Sequence, residues 1–524
     1  MPQRVTIEGV ALFDGEATDP ALSSLGWHSV VDYGATGDGA TDDAAAIQAA
    51  LDAAYDAGGG VVVFPAGRLY CVSTFIVAKA RTTVLAYGAT IRSIHASRGV
   101  LRNFEPDDSF PGFAGHSGIA ILGGVWDGNA YNDGTGLVTG TTNIMCFIHC
   151  RDITVRDATF RDCSGAHGLE LNSTSGARIE SCRFEGFADN TADQSRVTSE
   201  AIELDVARAG SSAIGELDGT ACEDVSITNC WFGPSDRLGD WGRAVGSHSI
   251  VAGSWYERIT VRDCEIASAY EAGIRAQYWR DSLVSGCKIK DTGGPGIHAL
   301  TTIAQGCDGL TVADNHVRGS GADAGIHIEG LSTALLSDVV IRGNRIQSAA
   351  GYGIRADYAP GILVEGNRID DPSGGGILAL ESDGATVSGN SIASAGSNGI
   401  NIAGCDRALV SGNSIDGTTA NHGITVGSSA SPGGDALVQG NHVYGAASAG
   451  IRLSSPRCTV TGNQVRRGGA TDNGVSVASS ATGCVIAGND LAHNGWSAAT
   501  ALLLSTTAAL DWTGGTASPG HNRI

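Results

Sequence analysis

Apolar and polar residues alternate in short phrases from about residue 150 almost to the end of the chain. The phrases cover about four to six residues and are bounded by Gly or Asn, a pattern typical of half-buried β-strands. A second phrase, such as VVIRGNRI or ATVSGNSI, follows the first in most units. The first phrase is Gly-Ile-x-apolar, with Val for Ile in its last copy, and it begins at Gly273, Gly296, Gly325, Gly353, Gly376, Gly399, Gly423, Gly450 and Gly474.

The two phrases together repeat roughly every 22 to 29 residues, which is the period of a solenoid. A unit this short cannot bury its own apolar face, whereas units stacked coil upon coil share one continuous core. The pattern therefore predicts an all-β fold, a single-stranded right-handed parallel β-helix.

One position between two predicted strands holds a repeated polar or thiol side chain. Because Asn tolerates left-handed backbone and its amide can bond the next coil, the repeated Asn predicts a stacked ladder in a tight turn. Cys in the same position of earlier coils is expected to be a free, buried filler. The Asn residues are Asn315, Asn344, Asn367, Asn390, Asn413, Asn441, Asn463 and Asn489, and the Cys residues are Cys182, Cys230, Cys264 and Cys287.

The segment DGATDDAAAIQAALDAAYDAGGG predicts a helix that caps the first coil. Asp42 and Asp43 begin it, Ile47 and Leu51 share its apolar face, and the glycines at 58–60 end it. We expect an N-terminal arm at 1–27, the capping helix and first strands at 28–95, and a C-terminal cap at 496–524. The β-helix is expected at 96–495, with loops near 190–200 and 233–256.

Charge narrows the classes of partner. The chain carries 55 Asp and Glu against 33 Lys and Arg, a formal charge of -22, which argues against nucleic acid and acidic membranes. No apolar run is long enough to cross a bilayer, and the opening lacks the build of a signal peptide. Thirteen Cys without a CxxC pair predict neither a disulfide framework nor a structural zinc.

The segment VVDYGATGDGATDDAAAIQAALDAAYDAGGGVVVFPAGRLYCVS resembles the opening of the pectate-lyase-like β-helix superfamily, which includes mannuronan epimerases, glycoside hydrolase family 28-related proteins and phage tail spikes. The phrases AHGLELN, SEAIELD and GPSDRLGDWGRAVGSH are similar to a set found in phage and prophage tail proteins. The resemblance implies a polysaccharide partner and either a homotrimer or a monomer. It also implies an extracellular or virion-associated location if the protein is tail-spike-like, and a cytoplasmic one otherwise.

Outward positions on two of these phrases supply the candidate catalytic residues. If Leu169, Leu171, Ile202 and Leu204 point inward, the intervening residues point out and form rows along the helix. Glu203 and Asp205, about 7 Å apart, approach the spacing of an inverting hydrolase, and Glu170 and Glu203 on adjacent coils approach that of a retaining one. The predicted catalytic residues are Glu170, Glu203 and Asp205.

Further polar residues in these phrases and rows are predicted to bind substrate. Four of the eight Trp fall between Trp231 and Trp279, and flat apolar rings with a polar edge suit sugars. The loops near 190–200 and 233–256 are expected to wall a cleft. The predicted substrate-binding residues are His167, Asn172, Asp236, Arg237, Arg243, His248, Trp255, Arg275, Gln277, Trp279, His298 and His327.

Three functions stay open at this point. The carboxylates favour a glycoside hydrolase. The second possibility is a non-catalytic tail or adhesion protein that binds a polysaccharide along the same rows of polar residues. A lyase or epimerase is the third, although the epimerase Asp-Pro-His-Glu tetrad and the polygalacturonase signatures are absent and Arg275 would be an unusual base. No cofactor is expected; calcium on the carboxylates is a weaker alternative because no EF-hand or nonapeptide repeat occurs.

Overall fold

The computed structural model describes residues 26–94, 99–131, 140, 143–208, 215–427, 433–468 and 473–491, with the backbone of four short strands outside these ranges. The chain forms two compact units, residues 1–256 and 257–524, called here the N-terminal and C-terminal units. The predicted N-terminal arm and C-terminal cap lie almost wholly outside the described residues. One uninterrupted stack over 96–495 stays a prediction.

Both units consist of parallel strands in three sheets, numbered here in the order in which each coil visits them. Each strand pairs in register with the strand one coil earlier and one coil later, as Met145–Arg151 does with Leu101–Arg102 and Leu169–Ser175. This pairing confirms the predicted parallel β-helix.

The N-terminal unit contains six strands of sheet 1 and seven each of sheets 2 and 3. Sheet 1 comprises Ile76–Val77, Leu101–Arg102, Met145–Arg151, Leu169–Ser175, Glu200–Asp205 and Arg243–Gly246. Sheet 2 comprises Trp27–Ser29, Gly60–Val63, Thr82–Leu85, Ala120–Leu122, Thr154–Arg156, Arg178–Glu180 and Ser226–Thr228. Sheet 3 comprises Asp38–Asp42, Leu69–Val72, Thr90–Ser93, Val125–Asp127, Thr159–Ser164, Arg183–Ala188 and Trp231–Gly233. Strands Thr6–Ile7 and Val10–Ala11 pair antiparallel, and Tyr256–Glu257 is a further short strand.

The C-terminal unit repeats the same three sheets. Sheet 1 comprises Ala272–Gln277, Ile297–Leu300, Ala324–Glu329, Tyr352–Asp357, Ile377–Leu380, Ile400–Ala403, Ile424–Val426, Ala449–Leu453, Asn473–Val477 and Leu502–Leu504. Sheet 2 comprises Thr260–Arg262, Ser282–Ser285, Leu310–Ala313, Val340–Arg342, Leu363–Glu365, Thr386–Ser388, Leu409–Ser411, Leu437–Gln439, Thr459–Thr461, Cys484–Ala487 and Leu510–Trp512. Sheet 3 comprises Glu265–Ile266, Lys288–Thr292, His316–Ser320, Arg345–Gln347, Arg368–Asp370, Ser391–Ala395, Ser414–Thr418, His442–Tyr444 and Gln464–Arg466. Short strands Trp279–Arg280, Cys307–Asp308 and Leu336–Ser337 lie outside these sheets.

The Gly-Ile phrase builds the core of the C-terminal unit. Its isoleucines stack in register from coil to coil, as Ile326, Ile354 and Ile377 do, and each is fully buried. The preceding glycine is required by close approach, because a Cβ at Gly325 would lie 2.5 Å from the Ile346 side chain and 2.9 Å from the Gly353 carbonyl oxygen.

The Asn ladder is confirmed, with one correction to its backbone. Asn390 Nδ2 donates to Val364 O at 2.9 Å and to Asn413 Oδ1 at 3.0 Å, and its own Oδ1 accepts from Asn367 Nδ2. The left-handed residue is not the Asn but the residue before it, which is Asp314 before Asn315 and a glycine before the other Asn residues, such as Gly389 with φ of 64°. The Asn is free to point inward because the residue before it makes the turn.

The Cys prediction is also confirmed. All thirteen cysteines are free and buried. Cys182 and Cys230 precede paired residues of adjacent coils, and so do Cys264 and Cys287. These thiols fill the turn position that Asn occupies elsewhere.

The predicted helix runs over Ala44–Asp56 and follows the 3-10 helix Val30–Tyr33. Ile47 and Leu51 are buried, and Gly58 and Gly59 have positive φ just past its end. The Asp43 carboxylate accepts hydrogen bonds from the Thr36 and Gly37 N–H groups, so it ties the helix to the preceding loop. In the part of the chain that the structure describes, no helix combines the length and apolarity needed to cross a membrane.

Candidate functional site

The predicted carboxylates lie on sheet 1 of the N-terminal unit. Glu170 pairs in register with Glu203, and Asn172 pairs with Asp205, on the adjacent strands Leu169–Ser175 and Glu200–Asp205. The intervening Leu and Ile residues are fully buried in the core, as the alternation of the sequence predicts. The predicted facing of these strands is therefore confirmed.

The expectation that these carboxylates form an exposed row is wrong. Glu203 is 2 %, Asp205 5 % and Glu170 6 % exposed. Other polar side chains close over them: Asn143 Nδ2 donates to Glu170 Oε2, and Asn172 Nδ2 donates to Glu170 Oε1 at 3.2 Å. Alternation fixes which face a side chain leaves, but loops from elsewhere in the chain decide whether that face meets water.

The three carboxylates converge. Glu170, Glu203 and Asp205 each place one oxygen within 4.8 Å of the others, closer than a strand spacing of about 7 Å suggested. Burial raises the pKa of Glu170, and the nearby Asp205 charge adds to it. Burial also raises the pKa of Glu203 well above its usual range; His248 opposes this effect, and the Asp205 and Glu170 charges reinforce it.

Two histidines link this group to a fourth carboxylate, Glu200. His167 Nε2 lies 2.7 Å from Glu203 Oε2, and His248 Nε2 lies 3.1 Å from Glu203 Oε1, an ion-pair contact without hydrogen-bond geometry. His248 Nδ1 is 3.2 Å from Glu200 Oε2, and Arg243 Nη1 is 2.6 Å from Glu200 Oε1. The imidazole rings of His167 and His248 are stacked with centroids 5.8 Å apart.

The contacts in this network shift the pKa values of its members in opposite directions. Burial alone would raise the pKa of Glu200, but the charges of His248 and Arg243 outweigh it and hold that pKa well below its usual range. The charge of Glu203 is the largest cause that raises the pKa of His248 to about 9; burial opposes it and Glu200 adds to it. Glu203 and His248 are in contact and both have raised pKa values, so the pair holds more protons at neutral pH than the same residues do in an unfolded chain.

Glu200 and Asn143 were missed in the sequence. Glu200 has the same parity as Ile202 and Leu204, so alternation assigns it to the core. Arg243 pairs with Glu200 in register on the next strand. This opposite charge was the signal in the sequence that could have identified Glu200.

Several predicted substrate-binding residues are buried inside this network. Arg243, predicted to meet substrate, is 8 % exposed and neutralises Glu200, and His167 is 4 % exposed between two glutamates. Asn172, also predicted to meet substrate, is 2 % exposed and holds Glu170. His248 keeps 35 % of its side chain exposed, so it is the solvent-facing member of the network.

The 233–256 segment covers the cluster rather than lining it with aromatic platforms. Trp241 is fully buried against Phe187, and Tyr256 is fully buried with its hydroxyl donating to Ser249 O at 2.9 Å. Asp236 and Arg237 are exposed on a turn that Ser235 ties to Asp162 at 2.7 Å, and Trp255 is half-buried. The 190–199 loop is tied to Gly140 O by Asn190 Nδ2.

The remaining candidates lie on sheet 1 of the C-terminal unit. Trp279 and Gln277, predicted to bind substrate, are buried at 1 % and 2 % exposure, and Gln277 accepts a hydrogen bond from Arg275 Nη1 at 2.5 Å. His298 and His327 stack on each other instead of standing alone. The fully buried rings of Tyr278 and Trp279 serve the packing of this unit.

Comparison with protein families agrees with the fold. Residues 27–298, just over half of the chain, match the family described as rhamnogalacturonase A/epimerase, pectate lyase-like. Residues 324–491 match a right-handed β-helix region. The chain belongs to the pectate-lyase-like family, as its opening segment implied.

Three curated relatives show what the chain is similar to. It is 27 % identical over 289 residues to the plasmin and fibronectin-binding protein A of Streptococcus pneumoniae, covering 52 % of this chain and 40 % of that protein. It is 23 % identical over 263 residues to a capsule KN3-specific depolymerase of Klebsiella phage KN3-1, covering 50 % of this chain and 28 % of the depolymerase. It is 66 % identical over 41 residues to the mannuronan C5-epimerase AlgE5 of Azotobacter vinelandii, a match that covers 8 % of this chain and 4 % of the epimerase.

Among solved structures, the crystal structure of PfbA, a surface adhesin of Streptococcus pneumoniae, superposes with a TM-score of 0.61 at 23 % identity. The match covers 76 % of this chain and 94 % of that one, and it shows the fold. The chain spans less than half the length of the curated relatives it matches.

Proposed function

We propose that the protein binds a polysaccharide across sheet 1 of the N-terminal unit and hydrolyses a glycosidic bond at the carboxylate cluster. The observation that carries this proposal is the convergence of Glu170, Glu203 and Asp205 within 4.8 Å in a buried site. Like charges held together away from water destabilise a fold, and such arrangements concentrate at functional sites.

The roles follow from the environment of each carboxylate. Glu203 is the general acid, because the raised pKa leaves it a proton to donate to the leaving oxygen. Asp205, whose Oδ1 accepts from the Val206 N–H at 2.7 Å, is the nucleophile that meets the anomeric carbon. The oxygen spacing below 4.8 Å favours a retaining mechanism, where the carboxyl groups are about 5 to 5.5 Å apart, over an inverting one at about 6.5 to 9.5 Å.

His248 positions the acid. It contacts both Glu200 and Glu203 and faces solvent, so the polymer approaches from its side. Glu203 first and then Glu200 raise the pKa of His248, and Glu200, which is paired with Arg243, orients the imidazole toward Glu203. This arrangement supplies a proton reservoir beside the general acid.

Arg102 supports an acidic sugar as the substrate. It stands in the same register row as Glu170, with Cys146 between them, so it lies about 10 Å from Glu170 at a strand spacing of about 4.8 Å. Its guanidinium lies between the rings of Phe75 and Phe104, 4.8 Å from each centroid. Among the described residues its Nε has no hydrogen-bond partner, so it is placed to bind a sugar carboxylate.

The test compares the wild type with Glu203→Gln and Asp205→Asn on a panel of capsular, pectic and alginate polymers, with the exposed Glu180→Gln as the matched control. New reducing ends should form with the wild type and the control, and both cluster variants should slow by about a hundredfold or more. An unsaturated uronate product would indicate a lyase, and unchanged chain length with altered sugars an epimerase. Full activity in both cluster variants would overturn the assignment.

Binding without cleavage is the second candidate function. The near-complete burial of the three carboxylates and the similarity to a surface adhesin favour it. In that case glycan-array binding would be retained while no polymer on the panel is shortened by the wild type. Either function places the protein at a cell or virion surface, and the trimer implied by the tail-spike resemblance stays a prediction for light scattering to test.

A further inference from the structure

A second polar cluster lies on sheet 1 of the C-terminal unit, on three adjacent strands. His298, His327 and Arg355 share one register row, and Glu329 and Asp357 pair two positions further along the strands. The rings of His298 and His327 are parallel within 4° with centroids 5.1 Å apart. The fold therefore stacks two imidazoles beside two carboxylates.

Each imidazole contacts a carboxylate on the strand of the next coil. His298 Nε2 is 2.7 Å from Glu329 Oε2, and His327 Nε2 is 3.1 Å from Asp357 Oδ2. Arg355 Nε lies 2.8 Å from the same Asp357 Oδ2, which fixes the orientation of that carboxylate. One donor atom from each of His298, His327 and Glu329 lies within 4.8 Å of the other two.

The protein alone does not satisfy this cluster. In the described part of the chain, His298 Nδ1, His327 Nδ1 and Asp357 Oδ1 are buried without a hydrogen-bond partner. His327 and Asp357 are 4 % and 5 % exposed, so water does not supply the missing partners freely. Unsatisfied buried polar atoms destabilise a fold, which makes a bound ion a favourable complement to the group.

We propose that His298, His327 and Glu329 bind a divalent transition-metal ion of the zinc class, with Asp357 and Arg355 orienting the His327 ring. Two imidazoles with one carboxylate and an open position match the nitrogen and oxygen ligands that zinc prefers, whereas calcium and magnesium take oxygen almost exclusively. Bonds of about 2.0 Å bring tetrahedral ligands to about 3.3 Å from one another, a small closure from 4.8 Å. Glu329, with 41 % of its side chain exposed, can make that movement and leaves an open side for a further ligand.

A bound ion would give this site a net charge opposite in sign to that of the N-terminal carboxylate cluster. Two carboxylates and Arg355 leave the ion-free site with one net negative charge when the histidines are neutral, and a divalent ion reverses that sign. The occupied site can then bind an anionic group, such as a sugar carboxylate, through the open position.

The experiment uses the full chain without a polyhistidine tag, stripped with a chelator, and titrated with Zn²⁺ by calorimetry. Cobalt absorption reports imidazole ligation. We expect the variants Glu329→Gln and His298→Ala to lose one equivalent of zinc or to bind it at least about tenfold more weakly. His442→Ala, an exposed histidine of sheet 3, is the matched control and should bind as the wild type does. Zinc should raise the melting temperature of the wild type but not of Glu329→Gln.

Three results would overturn the proposal: no zinc uptake by the wild type, unchanged uptake in both cluster variants, or loss of the same equivalent in Glu203→Gln, which would place the ion in the N-terminal cluster. Calcium uptake without zinc uptake would also contradict it. Because Glu329 is partly exposed, its amide variant is expected to fold even if a histidine variant does not.

Discussion

The Asn ladder of the C-terminal unit and the carboxylate cluster of the N-terminal unit are both rows of buried polar residues stacked along a β-helix. In the ladder, each amide donates to a backbone carbonyl and to the next amide, as Asn390 does at 2.9 and 3.0 Å. In the cluster, Glu170, Glu203 and Asp205 present acceptor oxygens to one another. The ladder satisfies its groups, and the cluster sets like charges together.

The two rows differ in whether one residue type can satisfy its own hydrogen bonds when it repeats along the coils. A neutral amide that carries donor and acceptor on one side chain can repeat indefinitely, because every copy bonds the next. A carboxylate cannot bond its copy unless a proton or a cation lies between them. A buried carboxylate row is thus a costly interruption of the repeat, and this cost supports the site that we propose on these coils.

Removing one rung of the ladder should have the largest effect on stability. Asn390→Ala leaves the Asn367 amide and the Val364 carbonyl without their partner, so the free energy of unfolding should fall by about 3 kcal/mol. Urea unfolding measures this loss. A change below about 0.5 kcal/mol would mean that the ladder adds little and that the contrast with the cluster is wrong.

Truncating the thiol in the equivalent turn of an earlier coil should cost less. Cys230→Ala removes one buried sulfur that makes long thiol contacts with the Ile179 and Thr228 carbonyl oxygens, at 3.8 and 3.4 Å, so a loss of about 1 kcal/mol is expected. The same urea experiment compares it directly with Asn390→Ala. Equal losses would show that filling space, rather than hydrogen bonding, gives the ladder its value. A thiol titration of the unfolded wild type should count thirteen free thiols.

The cluster should make stability depend on alkaline pH. The pKa of His248 is raised to about 9 in the folded chain, above its usual value of 6.5, so its contribution is present below about pH 6.5 and lost as the pH rises toward 9. The melting temperature should fall over this window in the wild type and less so in His248→Gln, with His442→Gln as the control. Parallel curves for all three would mean that the cluster does not hold the extra proton.

Glu203→Gln should change stability least, by less than about 1 kcal/mol at neutral pH. Burial raises the pKa of Glu203 and so opposes its charge, and an amide of the same shape is therefore tolerated, although loss of that charge also lowers the pKa of His248. The variant would therefore keep the fold while losing turnover. A loss of several kcal/mol would make Glu203 a structural residue and remove the contrast.

The fold was largely predictable because it follows from local periodicity. The Gly-Ile phrases, the Asn positions and the acidic start of the helix each act within a few residues or on the next coil. They predicted the helix that the structure shows at Ala44–Asp56, the parallel strands, the ladder and the buried thiols. Alternation also assigned Glu170, Glu203 and Asp205 to one face.

By itself, the sequence determined the repeat, the facing of each strand and the residues that share a row, because these depend on strand period and coil stacking alone. The side chains that cover each row come from other parts of the chain, so they are known only from the tertiary structure. Asn143 and His248 reach the carboxylates from segments outside their strands, Glu200 is neutralised by Arg243 one coil away, and Trp241 turns inward against Phe187. Burial and pKa depend on these long-range contacts, so they emerged only when the coils were assembled.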